Sequence, residues 1–204
     1  MSARRDDGAT VVEFGIVALL VFTLLLAIFE FGLLFRDNLT ATDAVSDATR
    51  VGAIVGPDIS GGATADFEIV RAVREGLSGL NDNEVRTIVV FRSTGTADDA
   101  VDQVPAACRN GHSLVGICNA YSAPEAFAAV VSGDRSYFRC EDGQTAACPY
   151  DPENRRDGPT SDDVETIGVY VRIETSGYTG LFAESWSIQR AATLRLETAV
   201  ADRE

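Results

Sequence analysis

From Ala9 to Phe35 run 27 residues whose only charges are Glu13 and Glu30, and few folds can house such a stretch. At ~1.5 Å per residue, a helix of this length exceeds the ~30 Å thickness of bilayer hydrocarbon. A secretory signal has a shorter apolar core that ends at a small-residue cleavage site. Here the run continues through Leu24, Leu25, Leu26, Leu33 and Leu34. A retained transmembrane helix over residues 9–35 is therefore expected. Arg4 and Arg5 precede it and Arg36 follows it. The orientation rule counts Arg and largely ignores Asp6 and Asp7, so residues 1–8 are expected as a cytoplasmic leader and the C-terminal part outside the cytoplasm.

The helical pattern does not stop at Arg36. Ala41, Ala44, Val45, Ala48, Val51, Gly52 and Val55 keep the i, i+3, i+4, i+7 spacing of one apolar face, and Gly56-Pro57 ends it. Residues 36–56 are thus expected as an amphipathic continuation. A continuous helix from Ala9 to Val55 would be ~70 Å long, bare or in lipid over its first half and packed on a domain over its second.

Residues 57–204 are enough for one compact outer domain. The chain carries 31 acidic and 17 basic residues, a formal charge of -14, which argues against nucleic acid as a partner because phosphate binding needs clustered Lys or Arg. Cys108, Cys118, Cys140 and Cys148 all lie in this part, and an even number in so short a stretch reads as a disulfide framework in an oxidising compartment. Three connectivities exist, and the short loops favour Cys108 with Cys118 and Cys140 with Cys148. A zinc site built from these cysteines and His112 is the competing reading, but spacings of nine and five residues are not paired C-x₂-C knuckles.

Within the domain, Asp66 is placed to cap a helix over Phe67, Ile69, Val70, Val73, Leu77 and Leu80 that ends near Gly76 or Gly79. Ser122 with Pro124 and Glu125 opens a second short helix carrying Phe127, Val130 and Val131. Val85 to Phe91 is a β-rich run, and Ile167, Val169, Val171 and Ile173 alternate as a strand with one buried face would. Trp186, Ile188, Ala192, Leu194 and Leu196 outline another strand, with Arg190 on its apolar face either snorkelling at an edge or sitting at a bulge. The fold class that follows is α+β: a long N-terminal helix, then a small antiparallel-sheet domain with disulfides.

No enzymatic constellation stands out. Gly111-His112-Ser113-Leu114-Val115 has Val where a nucleophile elbow needs its second Gly. His112 is the single His of the chain and adjoins Ser113, so no separate base completes a triad. Gly61-Gly62 lacks the residues that follow in a phosphate-binding loop. Asp151, Asn154, Asp157, Asp162 and Asp163 do not follow the EF-hand spacing and read as a solvated acidic loop. No catalytic residue, cofactor or metal is assigned.

The two carboxylates in the apolar run carry more information. An ionised acid at the centre of a span costs at least ~2.5 kcal/mol on insertion scales and less near the bilayer edge, so Glu13 reads either as a tolerated interfacial acid or as a functional one. Gly8-Ala9-Thr10-Val11-Val12-Glu13-Phe14 resembles the processing site of type IV prepilins, in which a membrane peptidase cuts after the Gly. The resemblance implies that Ala9 becomes a new N-terminus and that Glu13 neutralises its α-amino cation, on the same or a neighbouring subunit. Downstream, Ile28-Phe29-Glu30-Phe31-Gly32 and Phe35, followed by Ala44, Ala48, Arg50 and Gly52, are similar to the N-terminal signature of TadE-like pilus-assembly proteins. Residues 4–55 carry this likeness. It implies a minor pilin or pseudopilin of the tight-adherence apparatus, with other pilin subunits, membrane lipid and a prepilin peptidase as partners. Glu13, Phe14 and Glu30 would act in assembly. Glu30 lies ~25 Å along the axis from Glu13 and reads either as a residue at the outer headgroup level that reaches water or as an inter-subunit partner. A permanently anchored outer binding module is the alternative function.

Overall fold

The computed structural model describes residues 6–56, 65–95, 99–138, 149–152, 155, 164–180 and 182–196. The expected long helix is continuous: α1 runs Asp6–Val55. It ends where Gly56 takes a φ of 47° and donates its N–H to the Gly52 carbonyl at 3.1 Å. That left-handed turn is the usual stop where only glycine fits without strain.

The chain divides into two compact units, Met1–Asp37 with Ser176–Trp186, and Asn38–Thr175 with Ser187–Glu204. The second unit is the α+β domain, apart from the facing ends of its last two strands, which fall in the first. Its strands are β1 (Val85–Ser93), β2 (Cys118–Ser122), β3 (Thr166–Ser176) and β4 (Ser185–Arg195), in the order β2-β1-β3-β4. Both partners of β1 run antiparallel to it. The helices are α2 (Ala65–Gly76), a single turn α3 (Ala106–Arg109) and α4 (Ala123–Ser132). Of these elements, β2 is not legible in the sequence, because Cys118-Asn119-Ala120-Tyr121-Ser122 is too short and too mixed to show a period of two.

The pleat sorts the sheet into two faces. Ile88 opposite Val171 and Tyr121, and Val90 opposite Val169 and Asn119, lie on one of them. Against the second half of α1 the fit is close. A Cβ on Gly52 would come 3.1 Å from Ile69 and 3.4 Å from Ile167, and one on Gly76 would come 2.7 Å from the Ala44 methyl. Ala41, Ala44, Ala48 and Ala53 are buried there, so small residues let the backbones approach where Leu would hold them apart.

On the other face Val89, Phe91 and Tyr170 join Val104 and the Cys108–Cys118 disulfide in a second core. Gly168 is obligatory to it: directly opposite Phe91 in the ladder, it leaves room for the ring, into which a Cβ would collide. Sequence alternation marks only one face of β3 as buried, whereas Gly168 and Tyr170 are buried on the other. The disulfide core is the reason.

The position of Asp66 differs from expectation. It does not stand outside α2 as a cap but within its first turn, fully buried, and bonded to residues far along the chain. Arg190, for which the sequence allows two settings, donates from Nε to Asn38 Oδ1 at 2.8 Å and from Nη1 to the Gln189 carbonyl at 2.7 Å.

Candidate assembly helix and its cover

Within the first unit, residues 10–29 of α1 are apolar on nearly every side and exposed. Val11 is 70%, Phe14 73% and Leu19 71% exposed, and the best 18-residue window has a mean hydropathy of 2.7 with none of it buried in the protein. A helix of that composition belongs in a buried core or a membrane. Its length and composition suit a span, and it is a candidate membrane anchor. Thr23 does not spoil this surface, because its hydroxyl donates to the Leu19 carbonyl at 2.7 Å and is satisfied within the helix.

Gly8 and Ala9 lie inside α1. Glu13 and Phe14 are exposed on it, so Glu13 stands on the open helix surface among apolar side chains. Four residues separate it from Ala9, the distance at which two groups share a helix face.

Glu30 is the opposite case. The expectation that it reaches water is not met: it is 1% exposed. The turn between β3 and β4, closed by the Gly177 N–H to the Glu184 carbonyl at 3.1 Å, lies over it, and Thr179 Oγ1 donates to Glu30 Oε2. Gly177 is required for the approach, since a Cβ there would collide with the Ala183 carbonyl oxygen and come 3.1 Å from Glu30 Oε1. The cover is aromatic. Phe31 packs against Phe182 and Trp186, each with ring centroids 5.9 Å away. Two turns further along, Asp37 is also 1% exposed, beside Arg36 at 3.5 Å and the Tyr178 hydroxyl at 3.4 Å.

The second unit holds a buried polar cluster that the sequence does not reveal. Asp66 Oδ1 is 2.6 Å from Arg155 Nη2, with both side chains at 0% exposure. Its Oδ2 accepts from Asn119 Nδ2 at 2.8 Å and from the Tyr121 hydroxyl at 2.7 Å. Asn119 in turn accepts the Tyr150 N–H and donates to the Tyr150 carbonyl, both at 2.8 Å. The Arg155 guanidinium lies 4.6 Å from the Tyr150 ring centre. Burial, then the neighbouring Asp66 charge, pushes the Tyr121 hydroxyl well above its usual range. Burial does the same to Tyr150, assisted by Glu165. Both phenols are therefore neutral donors, and the cluster is a sealed tie between α2, β2, Tyr150 and Arg155 rather than a reactive centre.

Of the four candidate cysteines, Cys108 and Cys118 are bonded to each other at 2.04 Å, which removes both sulfurs from the zinc alternative. Cys140 and Cys148 lie outside the described residues, as do Asn154, Asp157, Asp162 and Asp163 of the acidic loop. Ser113 serves the fold, since its Oγ accepts the Ala120 N–H at 2.9 Å. His112 is exposed beside it.

Sequence reasoning missed Thr179, Tyr178, Phe182 and Trp186 as cover for the helix. The only hint in the sequence is a Glu in an apolar run with no local partner.

Residues 8–50 match a family model described as TadE-like protein. The match covers about a fifth of the chain. The matched segment holds the exposed apolar helix with Glu13, the covered carboxylates Glu30 and Asp37, and the small-residue stretch to Arg50. The match points to a role in tight-adherence pilus assembly. Comparison with curated proteins and with solved structures gave no match.

Proposed function

We propose that this TadE-like chain is a minor pilin or pseudopilin of a tight-adherence type pilus, held in the cell membrane by residues 9–35 with its disulfide-bonded domain outside the cytoplasm. The observation that carries the reading is the conjunction of a helix whose large apolar side chains stay exposed over residues 10–29 and a TadE-like match over the same residues. A surface so apolar is stable only against lipid or other helices, and a pilus subunit meets both in turn. The function is structural. It needs no cofactor, and no reaction is assigned to any side chain.

On this reading a prepilin peptidase cuts between Gly8 and Ala9. The new α-amino group then lies one helical turn from Glu13, whose carboxylate neutralises it in low dielectric, on its own or a neighbouring subunit. Phe14 and the apolar stripe pack against other pilin helices. Intact-mass measurement with N-terminal sequencing of the protein from its native membrane tests the scheme. A chain beginning at Ala9 is expected. A start at Met1 or Ser2 would overturn processing and leave a permanently anchored binding module as the better reading.

A further inference from the structure

The β3–β4 turn does more than join two strands. Glu13 and Glu30 are 17 residues apart, which is ~25 Å on a helix axis and close to the hydrocarbon thickness of a bilayer. If residues 9–35 form the span, as in the function proposed above, Glu30 and Phe31 stand at the outer boundary of the hydrocarbon. The ring of Phe182 is 5.9 Å from that of Phe31, and Phe182 lines a groove together with Leu20, Leu24 and Ala27. A side chain beside a helix shares that helix's depth, so Phe182 reaches below the level of Glu30.

We propose that the β3–β4 turn is a lipid-contacting element, which enters the outer leaflet beside α1 and shields Glu30 from the acyl chains. The chemistry of the turn suits that place. Tyr178 is 54% and Phe182 41% exposed, and Trp186 lies against Phe31. These are the residue types that settle at membrane–water boundaries, where one end of the side chain is apolar and the other wet. Arg36, 60% exposed less than two turns beyond Glu30 while leaning on Asp37, is placed to meet lipid phosphates. Burying Glu30 under Thr179 answers the same demand, because a carboxylate at this depth cannot be left facing hydrocarbon. A turn that met only water would gain little from the two aromatic rings that pack on Phe31, next to a covered acid.

Trp186 is the single Trp of the chain and stands at the start of β4, where it packs on Phe31 beside the turn, so its fluorescence reports on the depth of this region. The full chain is reconstituted in phosphatidylcholine–phosphatidylglycerol vesicles carrying bromines at the carbonyl end or at the methyl end of the acyl chains. A second protein, Leu20→Trp with Trp186→Phe, places the probe in the middle of the span. Trp186 is expected to lose emission mainly to the shallow bromines, and the Leu20→Trp probe mainly to the deep ones. If Trp186 is unquenched while the Leu20→Trp probe is quenched, the turn lies outside lipid and the inference falls, with the span intact. If neither is quenched, the membrane reading falls and takes the inference with it. If Trp186 escapes both bromines at every protein-to-lipid ratio and cross-linking captures a dimer, while the Leu20→Trp probe stays quenched, a second copy of the chain is the occupant and lipid is overturned.

Discussion

Two stretches of the same helix are both built of apolar residues yet live in different surroundings. Between Thr10 and Phe29 the side chains are large, mostly Leu, Val, Ile and Phe, and exposed. Between Ala41 and Ala53 the inward positions are Ala, Val, Thr and Gly, and buried. The difference teaches that size, not hydrophobicity, marks which stretch packs on its own domain. Fluid lipid, the surrounding proposed for the first stretch, conforms to any bulk, so large side chains cost nothing in it. A helix seated on α2 and a sheet must come close, and only small residues permit it. The glycines repeat the point: Gly15 and Gly32 have nothing within 4 Å of an added Cβ, whereas Gly52 has three atoms within 3.4 Å.

The contrast can be broken most severely through the domain's polar tie. Asp66→Ala leaves Arg155 charged, fully buried and without its carboxylate, a change that costs about 3–5 kcal/mol in buried pairs. Urea unfolding of the full chain in detergent, followed by near-ultraviolet circular dichroism, should show the domain melting far earlier while far-ultraviolet helicity of the apolar stretch persists. Loss of both together would mean that the two stretches are one cooperative structure.

The glycine pair sharpens the comparison directly. Gly52→Leu drives a branched side chain into Ile69 and Ile167 and should destabilise the domain by about 1–3 kcal/mol, the usual range for overpacking. Gly32→Leu meets open space and should shift the same midpoint by no more than ~0.5 kcal/mol. Equal effects would erase the distinction between the two stretches.

The smallest effect concerns pH and separates the domain from the apolar helix by a group that only the domain possesses. Burial, and after it the Glu125 charge, pushes the Tyr137 hydroxyl up to about 12. The folded state thus holds this proton more tightly than the unfolded state, whose tyrosine titrates near ~10. Its contribution is complete below that value and is lost as pH rises through the folded value. Because Tyr137 is 36% exposed and water screens the pair, Tyr137→Phe should reduce the alkaline fall in stability by less than about 1 kcal/mol. The measurement is the difference in urea midpoint between the two proteins across that window. A steeper fall in the variant would contradict the assigned direction.

Much of the fold is legible in the sequence. The length of the apolar run and the continued 3.6-residue period predict α1 through Val55, and α2, α4, β1, β3 and β4 follow from local periodicity and turn residues. Short loops favour the pairing of Cys108 with Cys118 among three connectivities, and the structure holds that bond. The sites that escape are those joined across the chain. Glu30 meets Thr179 after 149 residues, and Asp66 meets Arg155 after 89. Each looks locally like something simpler, a headgroup acid and a helix cap.

What the sequence determined by itself was the helix, its apolar reach, the residues of its TadE-like signature and the alternation of its strands, because these depend on neighbours within a few positions. What only the tertiary structure decided was which polar groups are hidden and by what. Burying an acid is tolerable only with a donor brought to it, and which donor arrives depends on how β3, β4 and the segment around Tyr150 return to residues laid down far earlier in the chain.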